Sequence, residues 1–566
     1  MGSQSTSSAS RGAILKPFDA NGAFHSQIDA GNLKHLAARG AIATLFSGVS
    51  GVGIQIISAM VLARLLTPRD FGLVTIVTTF SLLFVNFGYN GFTEAIVHCE
   101  KINHGQASNL FWMNVVGSTI LAVGFALAGP WMGKVFHDPR ISGVAAWISI
   151  TIFLSGLSVI HLALLKRGML FSTVSANDVA GRVASVIVSI ALGFAGWGYW
   201  ALVGGAIALT AVPCIGAWFL CTWTPGLPVK AEGTRSLVRY AVNTYARFST
   251  GYFTSNLDNF LVGWRLGPVQ LGLYKKAYDL FVLPSSQLSL GMTIVAVSAL
   301  SRLQDNVTQY KKYLLGAIGV MALIGMGISG LLTLIGRDLV FVLLGAKWIE
   351  SGTLFTILAP GIGLMAIYGT HIWIHLSLGH ADRWFRWGLI DLVVTTACLC
   401  IGLHWKAQGI ALAWVLAYCI ITLPALWYAT RPIRISIFAI VNVIWRYVVA
   451  SLVSYLCIAR MIKSLQSPAA LHGTMQVLGA LSLLSVLFAA LYLGLVILLH
   501  WSFAPIEQVL KLFREIAGRR RTTSAEAQLN RDAGEMKVER ERQLAEEIER
   551  IAELASKATM PDAGNP

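Results

Sequence analysis

The sequence predicts an all-α polytopic membrane protein with about 14 transmembrane helices. Of its 566 residues, 55% are hydrophobic and only 12% are charged, whereas soluble domains carry about 25% charged residues. The mean hydropathy is +0.66, and apolar segments of about 20 residues, the length that crosses a bilayer, recur along the chain. These observations exclude soluble enzymes, collagen-like chains, disulfide scaffolds and disordered proteins.

The individual elements follow from these segments in chain order. Residues 1–39 are polar and rich in serine, and no short apolar core with a cleavage site follows them, so a cleaved signal peptide is not expected. Short loops rich in turn residues separate the apolar segments, which makes each segment a helix of its own. The predicted spans are 41–63, 71–97, 109–133, 142–165, 174–196, 198–221, 237–263, 272–299, 313–336, 352–377, 386–404, 407–430, 437–459 and 473–500.

Lysine and arginine in alternate loops predict the orientation in the membrane. We name the side that holds the N-terminus side A and the opposite side side B. The segments on side A, up to residue 521, carry 22 lysines and arginines, and those on side B carry 12. Side A is therefore predicted to be cytoplasmic, with both termini inside.

The charge is unevenly distributed along the chain. The net charge is +16, yet residues 522–566 hold 10 of the 27 acidic and only 6 of the 43 basic side chains. An apolar stripe at helical spacing occurs in this tail, at Leu544, Ile548, Ile551 and Ala555. It fits a solvated amphipathic helix or a partner-docking coil. Arg182 and Arg247 lie within apolar segments, where loop topology does not explain them, and this surplus favours an anionic cargo.

An internal repeat indicates two halves. Residues 63–66 lead to Gly72, and residues 264–267 lead to Gly272, 200 positions later. Proline-containing loops follow each half, at Pro225 and Pro228 and again at Pro432. The pattern predicts two parallel six-helix halves related by an axis along the membrane normal, an arrangement in which transporters place a site between the halves. The predicted domains are a cytoplasmic segment 1–39, bundles 40–225 and 226–432, two extra helices 433–502 and a charged cytoplasmic tail 503–566.

Polar residues within apolar helices are the candidate site, because a charge at mid-bilayer costs at least about 2.5 to 3.5 kcal/mol unless it faces a cavity or a partner. The seventh segment is the richest in such residues. One of its helical faces carries Asn243, Arg247, Thr250, Thr254 and Asp258, with Asn259 beside it. Two interpretations remain open for this face, an Arg–Asp network that joins helices and a wall of a water-filled cavity.

Other segments add further candidates. They are Asn86, Asn90 and Glu94 in the second, Asp178 and Arg182 as a local pair in the fifth, Tyr274, Lys275, Lys276, Tyr278 and Asp279 in the eighth, and Asp391 in the eleventh. Each of them alone fits a structural role equally well. Together they place cationic and amide donors on both halves, which suits phosphate or carboxylate groups and sugar hydroxyls.

Enzyme and metal signatures are weak. No glycine-rich stretch has Walker spacing, so ATP hydrolysis is not expected. His371 and His375 have helical i, i+4 spacing but no Glu or Cys nearby, which disfavours a metal site. The seven cysteines lack both disulfide and zinc spacing and are interpreted as packing residues. We expect neither a metal nor another cofactor, and no nucleic-acid partner.

Several stretches resemble one family. Residues 63–74 (ARLLTPRDFGLV), 164–167 (LLKR), 196–203 (GWGYWALV) and 301–305 (SRLQD) are similar to motifs of the Wzx-type polysaccharide flippases. The most specific match runs from Asn256–Asn259 to Leu283–Pro284. The resemblance covers roughly residues 40–430, with weaker agreement to about 500, and is strongest to the exopolysaccharide and colanic-acid-like branch.

The resemblance implies membership of the multidrug/oligosaccharidyl-lipid/polysaccharide exporter superfamily. It implies a MATE-like fold of two six-helix bundles, here with two extra C-terminal helices, in a bacterial inner membrane. The implied function is that of a flippase for an undecaprenyl-diphosphate-linked oligosaccharide, in exopolysaccharide or lipopolysaccharide biosynthesis, and not of an enzyme. Membrane lipids and a polysaccharide polymerase or export machinery are the other implied partners. The family commonly has a basic residue directly after Gly263, where this chain has Trp264 and then Arg265.

These inferences combine into an alternating-access hypothesis. Arg247, Lys275 and Arg182 would neutralise the diphosphate, and Asn86, Asn259 and Tyr278 would bind sugars. Asp258, also a candidate for substrate binding, or Glu94 would couple flipping to an ion gradient. The alternatives are a MATE-like antiporter of small molecules or cations and, with less support because the side B loops are short, a membrane polymerase or ligase.

Overall fold

The computed structural model describes residues 15–19, 21–25, 33–229, 233–464, 474–505 and 507. Within these residues the structure is helical apart from isolated β-bridges and short turns. The first six helices are α1 (Leu33–Leu65), α2 (Pro68–His98), α3 (His104–Val135), α4 (Arg140–Arg167), α5 (Phe171–Phe194) and α6 (Trp200–Leu220). The next seven are α7 (Thr234–Arg302), α8 (Val307–Leu344), α9 (Ile349–Leu358), α10 (Gly361–Tyr368), α11 (Thr370–Ser377), α12 (Ala381–Gly402) and α13 (Lys406–Thr430). Two more follow, α14 (Ile437–Ser464) and α15 (Thr474–His500).

The helices agree with the predicted order of segments. Helix α7 consists of two arms that meet at Gly267, whose φ of 80° is a left-handed conformation that glycine adopts without strain. Pro268 begins the second arm, where a missing N–H costs nothing. With each arm counted as a span and α9–α11 as one, every predicted segment has its helix. Ten stretches of the described chain are long and apolar enough to cross a membrane, or eleven with the bent α9–α11 stretch, so the all-α polytopic fold is confirmed.

The tenth segment differs from the prediction of one continuous span. It is divided into α9, α10 and α11, and the parts before and after residue 360 are bent by 53°. Pro360 stands at the bend and has no backbone N–H to continue the helical ladder. Gly369 stands between α10 and α11, and glycine is a weak helix former.

The repeat-related glycines meet at side B. A Cβ atom on Gly72 would overlap the carbonyl oxygen of Pro268, and one on Gly272 would overlap that of Pro68. The start of α2 and the start of the second arm of α7 therefore cross with their backbones in direct contact. The resemblance between the two sequence repeats thus corresponds to a two-fold-like contact in the structure.

Further contacts join the first six helices to the later ones at the same side. The indole of Trp348 donates to the carbonyl of Ala63 at 2.9 Å. The guanidinium of Arg64 donates to the carbonyl of Val342 at 3.3 Å, and Lys347 donates to the carbonyl of Arg64 at 3.4 Å. Trp348 is fully buried, so its bond belongs to a packed contact between the two groups of helices at side B, and the bonds of Arg64 and Lys347 lie at the exposed edge of this contact.

A buried carboxylate fixes the loop between α3 and α4 on side B. Asp138 is 3% exposed and accepts hydrogen bonds from Arg140 at 2.7 Å and from Arg69 of α2 at 3.2 Å. The Arg140 guanidinium is the main reason why the pKa of Asp138 falls to about 2. The loop is thereby tied to the first turn of α2.

On side A, the extended segment that begins at Leu15 lies next to the extended segment that follows α6. Leu15 is buried and exchanges backbone hydrogen bonds with Leu220 and Thr222, at 2.9 and 3.1 Å. The linker that follows α6 is held by α3, whose Asn109 and Trp112 donate to backbone carbonyls of residues 229 and 226. The linker between the two predicted bundles is therefore fastened to the first of them.

Helices α14 and α15 pack against α8. Ser451 of α14 donates to the carbonyl of Met326 at 2.7 Å, and Tyr492 of α15 donates to that of Leu323 at 2.7 Å. Gly327 leaves room for the Tyr492 ring. The first of two compact units of the chain ends at Val496, and the predicted apolar stripe of the tail lies outside the described residues.

Candidate functional site

Asp258 lies at the centre of a fully buried cluster. Its carboxylate accepts a hydrogen bond from the Tyr274 hydroxyl at 2.6 Å, from the Trp414 indole at 3.3 Å and from the backbone N–H of Asn259 at 2.8 Å. The Trp414 indole also donates to the Tyr274 hydroxyl at 2.9 Å. We name Asp258, Tyr274 and Trp414 the Asp258 cluster. It joins both arms of α7, which the turn at Gly267 lays side by side, to α13.

A row of aromatic rings leads from this cluster to a second carboxylate. The ring of Trp414 stacks on Tyr418 at 5.8 Å between centroids, and Tyr418 contacts Tyr368 at 5.7 Å. The hydroxyl of Tyr368 then donates to Asp391 at 2.9 Å. Sequence reasoning named both carboxylates but missed these aromatic residues, because an aromatic side chain in an apolar helix resembles ordinary packing.

The two adjacent lysines at the start of the second arm of α7 already have internal partners. Lys275 forms an ion pair with Asp279 at 2.6 Å, and its ammonium lies 5.6 Å from the centre of the Tyr278 ring. Lys276 lies 4.1 Å from the centre of the Phe71 ring, across the side B contact. Tyr278 is 9% exposed. The structure thus places Lys275 and Tyr278 together but gives the lysine an internal counter-ion.

Asn259 retains an unused acceptor. It is 2% exposed, and its amide nitrogen donates to Asn256 at 3.3 Å. Its side-chain oxygen is buried and has no hydrogen-bond donor among the described residues. Buried amide oxygens are normally satisfied, so this atom is free to accept from water or from a ligand hydroxyl.

The candidates on α2 lie closer to side A. Asn86 donates to the carbonyl of Leu82 in its own helix at 2.7 Å. Glu94 pairs with His98 at 3.1 Å, one turn before the helix ends. The side chain of Asn90 lies outside the described residues. Glu94 is therefore in a partly exposed contact with His98 near side A, not in the buried interior.

Arg182 and Asp178 of α5 are both exposed. In the described part of the chain, Asp178 and Arg182 are not within ion-pair distance of each other. The predicted local pair is therefore not formed. The Arg182 side chain lies over Gly51 of α1 instead, with its nearest guanidinium nitrogen 3.0 Å from the position that a Cβ would take.

The first arm of α7 contacts α2 through residues that the sequence did not single out. The hydroxyl of Tyr245 donates to the carbonyl of Leu83 at 2.8 Å, and that of Tyr252 donates to Thr79 at 2.6 Å. The side chains of Arg247 and Thr250 lie outside the described residues, so the role assigned to Arg247 stays a prediction. Of the predicted stripe, Asn243 near side A is exposed, while Asp258 is buried.

Two further observations concern histidine and arginine. The described residues include no group of three metal-ligating side chains, and the Nδ1 of His371 donates to the carbonyl of Tyr368, the last residue of α10, at 2.6 Å. Arg446, in α14, is a third arginine within an apolar helix, and its Nε is buried without an acceptor in the described structure. Sequence reasoning missed it, although a count of the basic residues assigned to loops would have found it.

Comparison with known proteins identifies the family. The model of the polysaccharide biosynthesis protein family matches residues 61–353, which is more than half of the chain and includes the glycine contact, Asp258 and the basic residues of α7. The chain belongs to this family. This family member, the present chain, is 21% identical to the succinoglycan biosynthesis transport protein ExoT of Rhizobium meliloti (strain 1021). The alignment runs over 360 residues and covers 63% of this chain and 73% of that relative. The chain is also 21% identical over 410 residues to the lipopolysaccharide biosynthesis protein WzxC of Escherichia coli (strain K12), covering 71% and 82%.

Solved structures show the same fold. The lipid II flippase MurJ in an inward closed conformation aligns with a TM-score of 0.66 and 13% identity, over 82% of this chain and 99% of that one. An inward-facing multidrug resistance MATE family transporter of the MOP superfamily aligns with a TM-score of 0.56 and 13% identity, over 67% and 94%. The fold of this multi-pass membrane protein is thus that of the MOP superfamily transporters, and the resemblance stated from the sequence is confirmed.

Proposed function

We propose that the protein flips a polyprenyl-diphosphate-linked oligosaccharide repeat unit from the cytoplasmic leaflet, on side A, to the periplasmic leaflet, on side B. The repeat unit would serve exopolysaccharide or lipopolysaccharide biosynthesis in a bacterial inner membrane. The observation that carries the proposal is a set of basic and amide side chains on helices of a fold that this chain shares with MOP superfamily transporters. Membership of the polysaccharide biosynthesis family supports the same class of cargo.

The residues suggest a division of roles. Arg182 lies exposed on α5 and, with Arg247 and Lys275, would neutralise the diphosphate. The free oxygen of Asn259, with Asn86 and Tyr278, would bind sugar hydroxyls. Asp258, buried at the junction of α7 and α13, or Glu94 would respond to a coupling ion, because protonation or ion binding there would change the hydrogen bonds that hold the helices together.

A second candidate is a MATE-like antiporter of small molecules or cations, which the structural likeness to a MATE transporter favours at the level of the fold. The basic residues argue against a cationic cargo, because like charges repel in a cavity of low polarity. A membrane polymerase or ligase has less support, since the relatives and fold neighbours are named as transport proteins or flippases.

The test is removal of the arginine charge in cells that depend on this protein for polymer export. Arg247→Ala should lower surface polymer at least tenfold and cause lipid-linked repeat units to accumulate on the cytoplasmic side, and Arg247→Lys should lower export less but measurably, because Lys lacks the planar fork. Arg434→Ala, in the loop before α14, is the matched control and should leave export unchanged. Normal export with both Arg247 variants at equal protein level would refute this role.

A further inference from the structure

Four helices bring a group of charged and aromatic side chains together near side A. Lys166 is in the last turn of α4, and its ammonium lies 6.0 Å from the centre of the Tyr89 ring of α2. Asp178 and Arg182 are one turn apart on α5. Arg182 rests on Gly51 of α1. We name Tyr89, Lys166, Asp178 and Arg182 the α5 cluster.

The carboxylate of Asp178 is shared between two cations without being bound closely to either. Lys166 and Arg182 both interact with it electrostatically, and so does the Tyr89 hydroxyl. Neither cation is within the 4 Å of an ion pair with it. Because Asp178 and Arg182 are exposed and Lys166 is half-exposed, a ligand has access to the space around them.

The backbone of α1 sets the position of Arg182. The guanidinium lies where a side chain at residue 51 would have to stand, with Nη1 3.0 Å from that Cβ position. The two helices are fastened beside it, since the hydroxyls of Thr44 and Ser175 are 3.4 Å apart and Ser47 donates to the Ser175 carbonyl at 3.5 Å. The absence of a side chain at Gly51 therefore leaves the room that the guanidinium occupies.

We propose that the α5 cluster binds one phosphate of the lipid-linked diphosphate and that Asp178 is the internal anion which the phosphate replaces. Arg182 offers a planar fork and Lys166 a point charge, the two cationic donors that proteins use for phosphate. This inference rests on the proposed function and adds to it Lys166, Gly51 and Asp178, which have no part in the division of roles given above.

The Asp178 carboxylate would help the cluster to release its cargo. Two cations alone would hold a phosphate tightly, and a flippase must also release its cargo on the other side. Asp178 competes with the phosphate for Lys166 and Arg182, so it lowers the affinity of the cluster for phosphate. When the phosphate leaves, Asp178 interacts with the two cations again. Removing this carboxylate should therefore strengthen binding but slow transport, an outcome that a merely structural aspartate would not produce.

Binding is measured on the full chain in lipid nanodiscs, with farnesyl diphosphate as the probe and farnesol as the uncharged comparison. Lys166→Ala and Arg182→Ala should each weaken farnesyl diphosphate binding about tenfold and leave farnesol binding unchanged. Asp178→Asn should strengthen farnesyl diphosphate binding about tenfold, slow its dissociation and lower polymer export in cells. Arg182→Lys, which keeps the charge but loses the fork, should lie between the wild type and Arg182→Ala.

Gly51 supplies a matched pair of variants on α1. Gly51→Leu should displace the guanidinium and weaken binding as Arg182→Ala does. Gly53→Leu, two residues later, faces open space with no atom within 4 Å of its Cβ position, and should bind the probe like the wild type. The proposal would be overturned if these two variants bound the probe with equal affinity. It would also be overturned if Asp178→Asn, purified as a single monodisperse species, bound the probe no more tightly than the wild type.

The outcomes separate this inference from the proposed function. If deletion of the gene leaves polymer export normal, the proposed function fails whatever the binding data show. If deletion abolishes export while Asp178→Asn and Gly51→Leu bind and export like the wild type, only the role of the α5 cluster fails.

Discussion

At the scale of single residues, Asp258 shows how an acidic side chain is accommodated in the interior of a membrane protein. Its carboxylate is fully buried and accepts from three donors, two of them side chains of the second arm of α7 and of α13. An intramolecular hydrogen bond contributes about 0.5 to 1.5 kcal/mol, so the three bonds together offset part of the cost of removing this polar group from water. An ion that competes for these bonds would change the packing of three helical segments at once.

The Tyr274 hydroxyl is the closest of these donors. Tyr274→Phe removes its bond to Asp258 and leaves the Trp414 indole without its nearer acceptor. We expect a loss of about 1 to 3 kcal/mol of stability, since a buried polar group is left unsatisfied, and a lower unfolding temperature of the detergent-purified protein.

Tyr240→Phe is the matched control, because Tyr240 is 45% exposed at the start of α7. It should shift the unfolding temperature by no more than a degree or two, as surface substitutions usually do. Equal shifts for the two variants would show that the Asp258 cluster does not stabilise the fold.

At the scale of elements, α7 belongs to two parts of the molecule. Its first arm is attached to α2 through the hydroxyls of Tyr245 and Tyr252. Its second arm packs with α13 and crosses α2 at the glycine contact. A movement of the first six helices relative to α8–α13 must therefore break bonds along α7 or bend it, and Gly267 is a point where the backbone already departs from the helix.

The glycine contact predicts an asymmetry among glycines. Gly72→Ala would place a methyl group on the carbonyl of Pro268, so that α2 and α7 must separate. We expect a loss of about 1 to 3 kcal/mol, the usual cost of overpacking, seen as a lower unfolding temperature, and the same for Gly272→Ala.

The comparison is Gly124→Ala in α3, where nothing lies within 4 Å of the added Cβ. This variant should be neutral or slightly stabilised, because alanine is the better helix former. A Gly72→Ala protein as stable as Gly124→Ala would mean that the two helices do not pack this closely.

At the scale of the whole molecule, the contact at side B defines one state of the proposed transport cycle. Trp348 is buried against Ala63, and Arg64 and Lys347 exchange hydrogen bonds with the opposing backbone. Release of cargo on side B would require this contact to open. The structure is therefore expected to be the state that is closed towards the periplasm.

Cross-linking tests whether the contact must open. In a variant without the seven native cysteines, Arg64→Cys with Lys347→Cys would join α1 to the turn after α8. A short reducible thiol cross-linker should abolish polymer export, and reduction should restore it.

A second pair controls for the reagent. Gln270 and Glu350 are hydrogen-bonded at 3.0 Å and exposed on the same side, but both follow the first six helices. Cross-linked Gln270→Cys with Glu350→Cys should leave export unaffected. Export that continues with residues 64 and 347 joined would contradict a transport cycle in which side B opens here.

Part of the candidate site could be predicted from the sequence. Asp258, Asn259, Arg182 and Lys275 were visible because a polar residue in an apolar helix stands out against its neighbours. Tyr274 was also visible as a candidate beside Lys275, but its bond to Asp258 was not. Trp414 was missed, because it looks like a packing residue and is 156 positions from Asp258. The predicted pairing of Asp178 with Arg182 relied on their i, i+4 spacing, but the arginine lies over Gly51 of α1, where the missing side chain leaves room for it.

The sequence by itself determined the membrane class, the order of the helical segments and the presence of two repeats, because apolar length and turn residues are local properties of the chain. Only the tertiary structure decided that Gly72 meets Gly272, that Asp258 is enclosed by Tyr274 and Trp414, and that the tenth segment is bent at Pro360. The physical reason is that these contacts depend on how helices far apart in the chain cross. A glycine allows close packing only where another backbone lies against it, and a hydrogen-bond donor is used only where an acceptor lies within reach.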